Sequence, residues 1–428
     1  MKKICKYTTI VLCAIFVIFH IYTALFGVIS NNGQKCIHLA LIFGILFMGL
    51  LEKDEGKPVL LCMDTLLLIA GVASMMYIWY VSPTYDDRGG ITTTPDIIFG
   101  ILLIITLIYA TWRKIGTVLA VVAMIFILYA FGGMYAPSLL QHGGFKLGRY
   151  IHLIVFTSDG ILGSPLNASA NYIVIFIILG AVFSATGVGD YFTSLATAAF
   201  GRFRGGPAKV AVVASAFFGS ISGSSIANVI GTGTFTIPMM KKLGYRPAFA
   251  GAVEAAASTG GQLMPPVMGA AAFLMAEFVG VPYIEVVKAA VIPALLYYIG
   301  VWIGVHYEAK KFGLKGTPRD QLPKFGKLFM EKGHLILPLA IIVYLLVSGY
   351  TPMRAALWAI GLTLICSCLR KSTRISFGDV VKGLIEGSKG VLGVLIACAT
   401  AGVIIGVVTK TGVGLKLATA LLDLAGGH

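Results

Sequence analysis

Residues 219–238 read GSISGSSIANVIGTGTFTIP, a run of glycines and hydroxyl side chains inside an otherwise apolar chain. Basic residues flank it on both sides: Arg202, Arg204 and Lys209 before it, Lys241, Lys242 and Arg246 after it. Lys and Arg mark the cytoplasmic ends of membrane segments, so both flanks lie on one side and the stretch between them enters and leaves there. This predicts a re-entrant helical hairpin over 207–240. Its tip exposes backbone N–H and C=O groups that lipid cannot satisfy, so it must line a polar cavity. Close helix packing is the competing reading of the small residues; it explains the glycines but not the shared side of the flanks.

The next apolar run, 248–278, is interrupted by Ser258-Thr259-Gly260-Gly261-Gln262 and by Pro265-Pro266. Paired glycines and paired prolines remove helical hydrogen bonds and free carbonyls and helix ends in mid-membrane. A hairpin tip beside a broken helix is where transporters build ion and substrate sites. Ser220, Ser222, Ser224, Ser225, Asn228, Thr232 and Thr234 offer neutral oxygens that suit sodium or another hard cation. Glycine N–H groups and half-helix amino termini suit a substrate carboxylate equally. Glu254 precedes the break in an apolar helix, where an ionised carboxyl is costly and must pair, protonate or face water. A proton- or ion-linked coupling role and a structural hydrogen bond are both open for it. Glu277 and Glu285, near the outer end of the run, are expected to be solvated.

Composition sets the frame for this local reading. With 428 residues, 57% hydrophobic and 12% charged, the chain is no soluble globular domain. It predicts an all-α polytopic membrane protein of about eleven transmembrane helices plus the hairpin. Spans are expected at 8–30, 37–51, 59–82, 97–112, 116–135, 171–189, 287–307, 335–349 and 354–369, with a further one over GVLGVLIACATAGVIIGVVTK. Residues 136–168 read as an interfacial segment, and the amphipathic stretch from Asp190 to Gly206 as lying along the membrane surface. An amino terminus in the cytoplasm puts Lys2, Lys3, Lys6, Lys53, Lys57, Arg113 and Lys114 inside, with Lys35, Arg88, Lys146 and Arg149 outside. The basic loop 308–333, and Arg370, Lys371, Arg374, Lys382 and Lys389, also fall inside. Asp64 reads as a helix-end carboxylate reaching for water.

Several function classes drop out. The net charge of +15 would suggest nucleic acid in a soluble protein, but here the basic residues sit in short loops and no nucleic-acid partner is expected. The 7 cysteines and 7 histidines are dispersed without metal-ligand spacing, so no cofactor and no metal beyond a coupling ion, Na+ or H+, is expected. No GxxxxGK[ST] loop supplies an ATP motor. Gly223-Ser224-Ser225-Ile226 fits the loose GxSx pattern of intramembrane serine proteases, but no histidine lies between His152 and His306 to act as base. An ion channel is the other alternative.

An internal repeat organises the rest. TGVG at 186–189 recurs at 411–414, and Gly201 and Gly426 share its offset. The first copy follows a span running inward and the second a span running outward, as in the inverted repeats of transporters. The chain ends before a second Gly/Ser hairpin would fall, so the second repeat is expected to be incomplete. Lys410 and Lys416 on the outside oppose the assignment slightly.

The run 201–277, and within it STGGQLMPPVMGAAAF at 258–273, closely resembles the large membrane subunit of tripartite ATP-independent periplasmic (TRAP) transporters. It looks most like the branch in which small and large membrane subunits are fused and the soluble partner is a TAXI-type binding protein. The likeness is strong over 171–428 and weak over the first 112 residues. It implies a four-helix small-subunit-like domain at 1–112, a connecting helix and interfacial segment at 113–168, a first repeat at 169–386 and the start of a second at 387–428. It also implies elevator-type secondary transport, driven by sodium or protons, of an organic acid delivered to the bacterial inner membrane by a periplasmic protein. An ion site carries over as a region to Ser222, Ser225, Asn228, Thr259, Gly260 and Gly261. Ser224, Gly231, Thr232, Gln262 and Pro265 are assigned to the substrate, and Glu254 to coupling. The family's second hairpin, with a GMGLP-like motif, has no counterpart in this sequence.

Overall fold

The computed structural model describes residues 2–370 and 373–424. Lys371 and Gly426, named above, lie outside the described residues. Among the described residues the secondary structure is helical, with no strand. In chain order the helices are α1 (Lys2–Phe26), α2 (Asn31–Lys53), α3 (Pro58–Tyr85), α4 (Thr94–Lys114), α5 (Thr117–Gly132), α6 (Leu147–Ile151) and α7 (Ser164–Ala168). There follow α8 (Val174–Ala185), α9 (Val188–Phe200), α10 (Gly206–Ser222), α11 (Ser225–Lys242), α12 (Pro247–Gly260), α13 (Ala270–Val279) and α14 (Tyr283–Lys311). The last are α15 (Phe325–Lys332), α16 (Leu337–Val347), α17 (Pro352–Cys368), α18 (Phe377–Gly390), α19 (Leu392–Thr411) and α20 (Val413–Leu424).

Local chemistry sets the boundaries. Ser30 caps α2 by accepting from Gly33 N at 3.0 Å, and Asp96 returns to Thr93 N at 2.7 Å in the capping box that opens α4. Most helices exceed the apolar runs expected of them, because polar residues such as Lys2–Lys6 and Asn31–Gln34 continue the helix where the hydrophobic pattern stops. Nine helical segments among the described residues are long and apolar enough to cross a membrane. The remaining two expected spans are α17, with 17 residues, and the interrupted pair α12 and α13. The molecule is thus an all-α polytopic membrane protein.

Contacts divide the chain into two units, residues 1–171 with 388–428, and residues 172–387. The expected four-part division does not coincide with this, since α4 and α5 both pack on α19 within the first unit and no boundary falls at 112. Phe16, Phe43, Phe47, Met75, Ile78 and Leu103 are buried in that unit. A buried polar chain crosses it: His20 Nε2 meets His38 Nδ1 at 2.9 Å, and His38 Nε2 meets Ser169 Oγ at 2.8 Å.

In the segment 136–168, expected to be interfacial, Tyr150, Ile151, Ile154, Val155, Ile161, Leu162 and Leu166 are all buried within the protein. α6 and the π-helical turn after it run in, and the chain turns at Gly160, where Ile161 N donates to Ile154 O at 2.7 Å. Two glycines of α19 receive that turn: a Cβ on Gly402 would lie 2.5 Å from Gly160 O, and one on Gly406 3.0 Å from Asp159 O. Lys410 pairs with Asp159, and Lys35 Nζ donates to Leu162 O at 2.8 Å.

The two TGVG copies share a conformation. Gly187 (φ +70°) and Gly412 (φ +68°) each take the left-handed form between a buried apolar helix and a following amphipathic one. In the second unit, α10, α11 and α12 pack on one another around small residues, Ala208, Ala211, Ala250 and Ala257, beside Tyr298 and Met240. This packing places the hairpin.

Candidate ion and substrate site

α10 and α11 form the hairpin arms. They run antiparallel, joined at Gly223 and Ser224 and bonded across by Asn228 Nδ2 to Ser215 O at 2.8 Å, with Ser215 Oγ 3.1 Å from Thr232 Oγ1. Arms of 17 and 18 residues are roughly 26 Å long at 1.5 Å per residue, so the tip lies far from the end carrying Arg204 and Lys242. Gly223 turns the chain with φ +58°, and a Cβ there would fall 1.9 Å from Met268 O. Only glycine fits both demands.

The tip meets the break. α12 stops at Gly260 and α13 starts at Ala270, and the intervening segment closes on itself through Gly269 N to Gln262 O at 2.8 Å. The Pro265–Pro266 peptide in this segment is cis. Val267 N donates to Ser220 O at 3.1 Å, tying this segment to the hairpin. Gly219 and Gly261 touch backbone to backbone: a Cβ on Gly219 would lie 2.4 Å from Gly261 Cα. Carbonyls freed by the break find tyrosines, as broken helices require. Tyr297 Oη donates to Ala256 O at 2.8 Å, Tyr298 Oη to Ala257 O at 3.0 Å, and Tyr283 Oη faces Pro266 O at 3.0 Å and Val267 O.

Behind this contact lies Glu254, with 0% of its surface exposed. Its Oε1 accepts from Thr232 Oγ1 at 2.6 Å, Ser215 Oγ at 3.1 Å and Ser258 Oγ at 3.2 Å, and its Oε2 from Thr236 Oγ1 at 2.5 Å. These hydroxyls come from both hairpin arms and from its own helix. No Lys, Arg or His is among its partners in the described residues. Hydroxyl dipoles alone solvate the carboxyl. Oxygen donors of this kind suit a hard cation or a proton, and no group of His, Cys, Asp and Glu among the described residues suits a transition metal.

The residues singled out in sequence fall into three groups. Asn228, Thr232, Glu254 and Gly261 are buried together, Asn228 Nδ2 lying 2.8 Å from where a Gly261 Cβ would be. Ser225 and Gln262 meet at the outer side of the tip, Gln262 Nε2 donating to Ser225 Oγ at 2.9 Å, while Ser224 caps α11 through Ala227 N. Others stand apart from these contacts. Thr259 is exposed and its hydroxyl turns back to Ala255 O, Gly260 packs on Tyr297 and Tyr298, Gly231 on Phe218, and Ser222 stays within the tip at 3.5 Å from Ser224 O. Pro265 is half-buried in the broken segment. Sequence reasoning missed Ser215 and Thr236 as partners of Glu254. The spacing Asn228-Thr232-Thr236 was the available signal, since residues four apart share a helix face.

The family model described as tripartite ATP-independent periplasmic transporter, DctM component, matches residues 101–428. The chain belongs to this family. Among curated TRAP proteins it is 28% identical over 294 residues to the isethionate TRAP transporter permease protein DctMQ of Oleidesulfovibrio alaskensis, covering 68% of this chain and 45% of that protein. It is 26% identical over 287 residues to the C4-dicarboxylate TRAP transporter large permease protein DctM of Pseudomonas aeruginosa, 65% of this chain and 66% of that one. With the sialic acid TRAP transporter large permease protein SiaM of Vibrio cholerae it shares 26% identity over 207 residues, 47% of each. The chain spans about half the length of the first curated relatives it matches. The hairpin and the broken helix both lie inside the TRAP family match.

Proposed function

We propose that this chain is the membrane permease of a TRAP transporter that imports a small organic acid, delivered by a periplasmic binding protein, using a Na+ or H+ gradient. The reading rests on the hairpin tip docked on the broken helix beside a hydroxyl-shelled Glu254, in a chain of this family. In this reading the protein sits in the bacterial inner membrane with its amino terminus in the cytoplasm, and its soluble partner is of the TAXI type. Ions occupy the region of Ser222, Ser225, Asn228 and Thr259–Gly261, and the substrate that of Ser224, Gly231, Thr232, Gln262 and Pro265. Relatives carry names for isethionate, C4-dicarboxylate and sialic acid transport, all organic acids, and these set the substrate panel. Ser225 bonds to Gln262, whose amide is no general base, so a protease finds no support at this serine.

The deciding experiment is uptake into proteoliposomes by the protein, with its binding protein, under imposed sodium or proton gradients. The proposal expects uptake that needs both the binding protein and one of the gradients. Flux without the binding protein, at rates too fast for one substrate per conformational cycle, would make the protein a channel instead.

A further inference from the structure

A cavity of about 400 Å³ opens in the first unit where α2 and α4 end and α19 begins. Three lysines from three different elements converge on it: Lys53 in the last turn of α2, Lys114 in the last turn of α4, and Lys389 ahead of α19. None of the three makes an ion pair or hydrogen bond among the described residues. Arg113 also lines the cavity, but its guanidinium is committed to Asp54 and, at 3.4 Å, to Asp64. Glu52 is the single carboxylate in the lining. Three ammonium groups against one carboxylate leave two positive charges without a partner. The same lining includes the apolar side chains of Ile45, Leu46, Leu50 and Leu392.

A lysine at a helix carboxyl end ordinarily extends into water and complements the macrodipole. That explains one such residue at a time. It does not by itself explain why three lysines from separate elements line one cavity, a concentration of like charge that favours an anion there. The helices that end here are long enough to cross a bilayer, so the cavity lies at headgroup depth, where charged headgroups and acyl chains meet. Basic pockets between transmembrane helices recognise phosphate headgroups by this combination.

We propose that Lys53, Lys114 and Lys389 form a binding site for a phosphate group, that of an anionic phospholipid whose acyl chain lies along Leu46, Leu50 and Leu392. The test uses the purified 428-residue chain in detergent and follows thermal unfolding as phosphatidylglycerol, phosphatidylcholine or inorganic phosphate is added. Phosphatidylglycerol should stabilise saturably and phosphatidylcholine should not. Each neutralised lysine should weaken the effect on the order of five-fold, so Lys53→Gln/Lys114→Gln/Lys389→Gln should lose about 100-fold. The matching Lys→Arg triple variant should keep binding, because guanidinium also binds phosphate. Neutralising Lys315, Lys324 and Lys332, which removes equal charge in the second unit, should change nothing. Equal responses to the two lipids, or full binding by the Lys→Gln triple variant, would overturn the site. Inorganic phosphate matching phosphatidylglycerol at equal concentration would keep the lysine assignment and overturn the lipid as its source.

Discussion

Replacing Gly219 with alanine puts one methyl group into the contact on which the proposed transport site depends. The added Cβ would lie 2.4 Å from Gly261 Cα and 2.9 Å from Asn228 Nδ2. Carbon atoms reach their best separation only at about 3.5–4.0 Å, so tip and broken helix must part by roughly 1 Å. A shift of that size carries the Val267 N to Ser220 O bond, now 3.1 Å, beyond hydrogen-bonding range. Forcing a methyl group into a packed interface costs about 1–3 kcal/mol, a factor of roughly 5 to 150 in the population of the docked arrangement. Gradient-driven uptake should fall by a factor in that range, while detergent-purified Gly219→Ala stays folded because the arms keep their bonds through Ser215, Asn228 and Thr232. Gly251→Ala is the internal control: nothing lies within 4 Å of its Cβ, and alanine favours a helix by about 1 kcal/mol. The reasoning fails if Gly219→Ala transports like the parent, or if Gly251→Ala is impaired as severely.

Other perturbations probe separate links. Glu254→Gln keeps the shape but removes the charge that four hydroxyls face, and weakening even one charge-assisted bond to a neutral one slows uptake roughly five- to ten-fold; unchanged uptake with an unchanged pH profile would make Glu254 structural. Tyr283→Phe strips the hydroxyl facing Pro266 O and Val267 O, which should lower thermal stability by about 1–3 kcal/mol and weaken stabilisation by the coupling ion. Single cysteines at Arg204 and Lys242, both exposed at the open end of the hairpin, should react with an impermeant reagent from the same side of the bilayer, and labelling from opposite sides would dismiss the re-entrant topology.

How much of this was legible in the sequence depended on whether the signal was local. Breaks in apolar runs are local: Gly223 and Gly260-Gly261 each mark where a helix ends in the structure, and Pro265-Pro266 falls inside the non-helical segment between α12 and α13. Gly187 and Gly412 were likewise visible as a repeated tetrapeptide, and both take the backbone form that glycine favours. Side-chain direction is not local. Thr259 looked like a ligand by position, yet it stands one residue past Ser258 on the helix and so faces away from Glu254, which Ser258 reaches from the turn after it. In segment 136–168 likewise, the close approach of Gly402 and Gly406 to the turn at Gly160 comes from far along the chain and leaves no mark in the local pattern.

The hydroxyl shell of Glu254 connects these scales. Of the four hydroxyls facing this buried carboxyl, two have an alternative backbone acceptor nearby: Thr236 also reaches Thr232 O at 3.1 Å, and Thr232 also reaches Asn228 O at 2.9 Å. In Glu254→Gln those two hydroxyls can turn to the backbone at little cost, whereas a lysine or arginine partner would be left as an unpaired buried charge. The four hydroxyls together belong to both arms of the hairpin and to α12 itself. A change at Glu254 therefore alters what holds α10 and α11 to α12, one helical turn from the Gly219–Gly261 contact. That is the physical sense in which a coupling ion and the position of the tip can depend on each other.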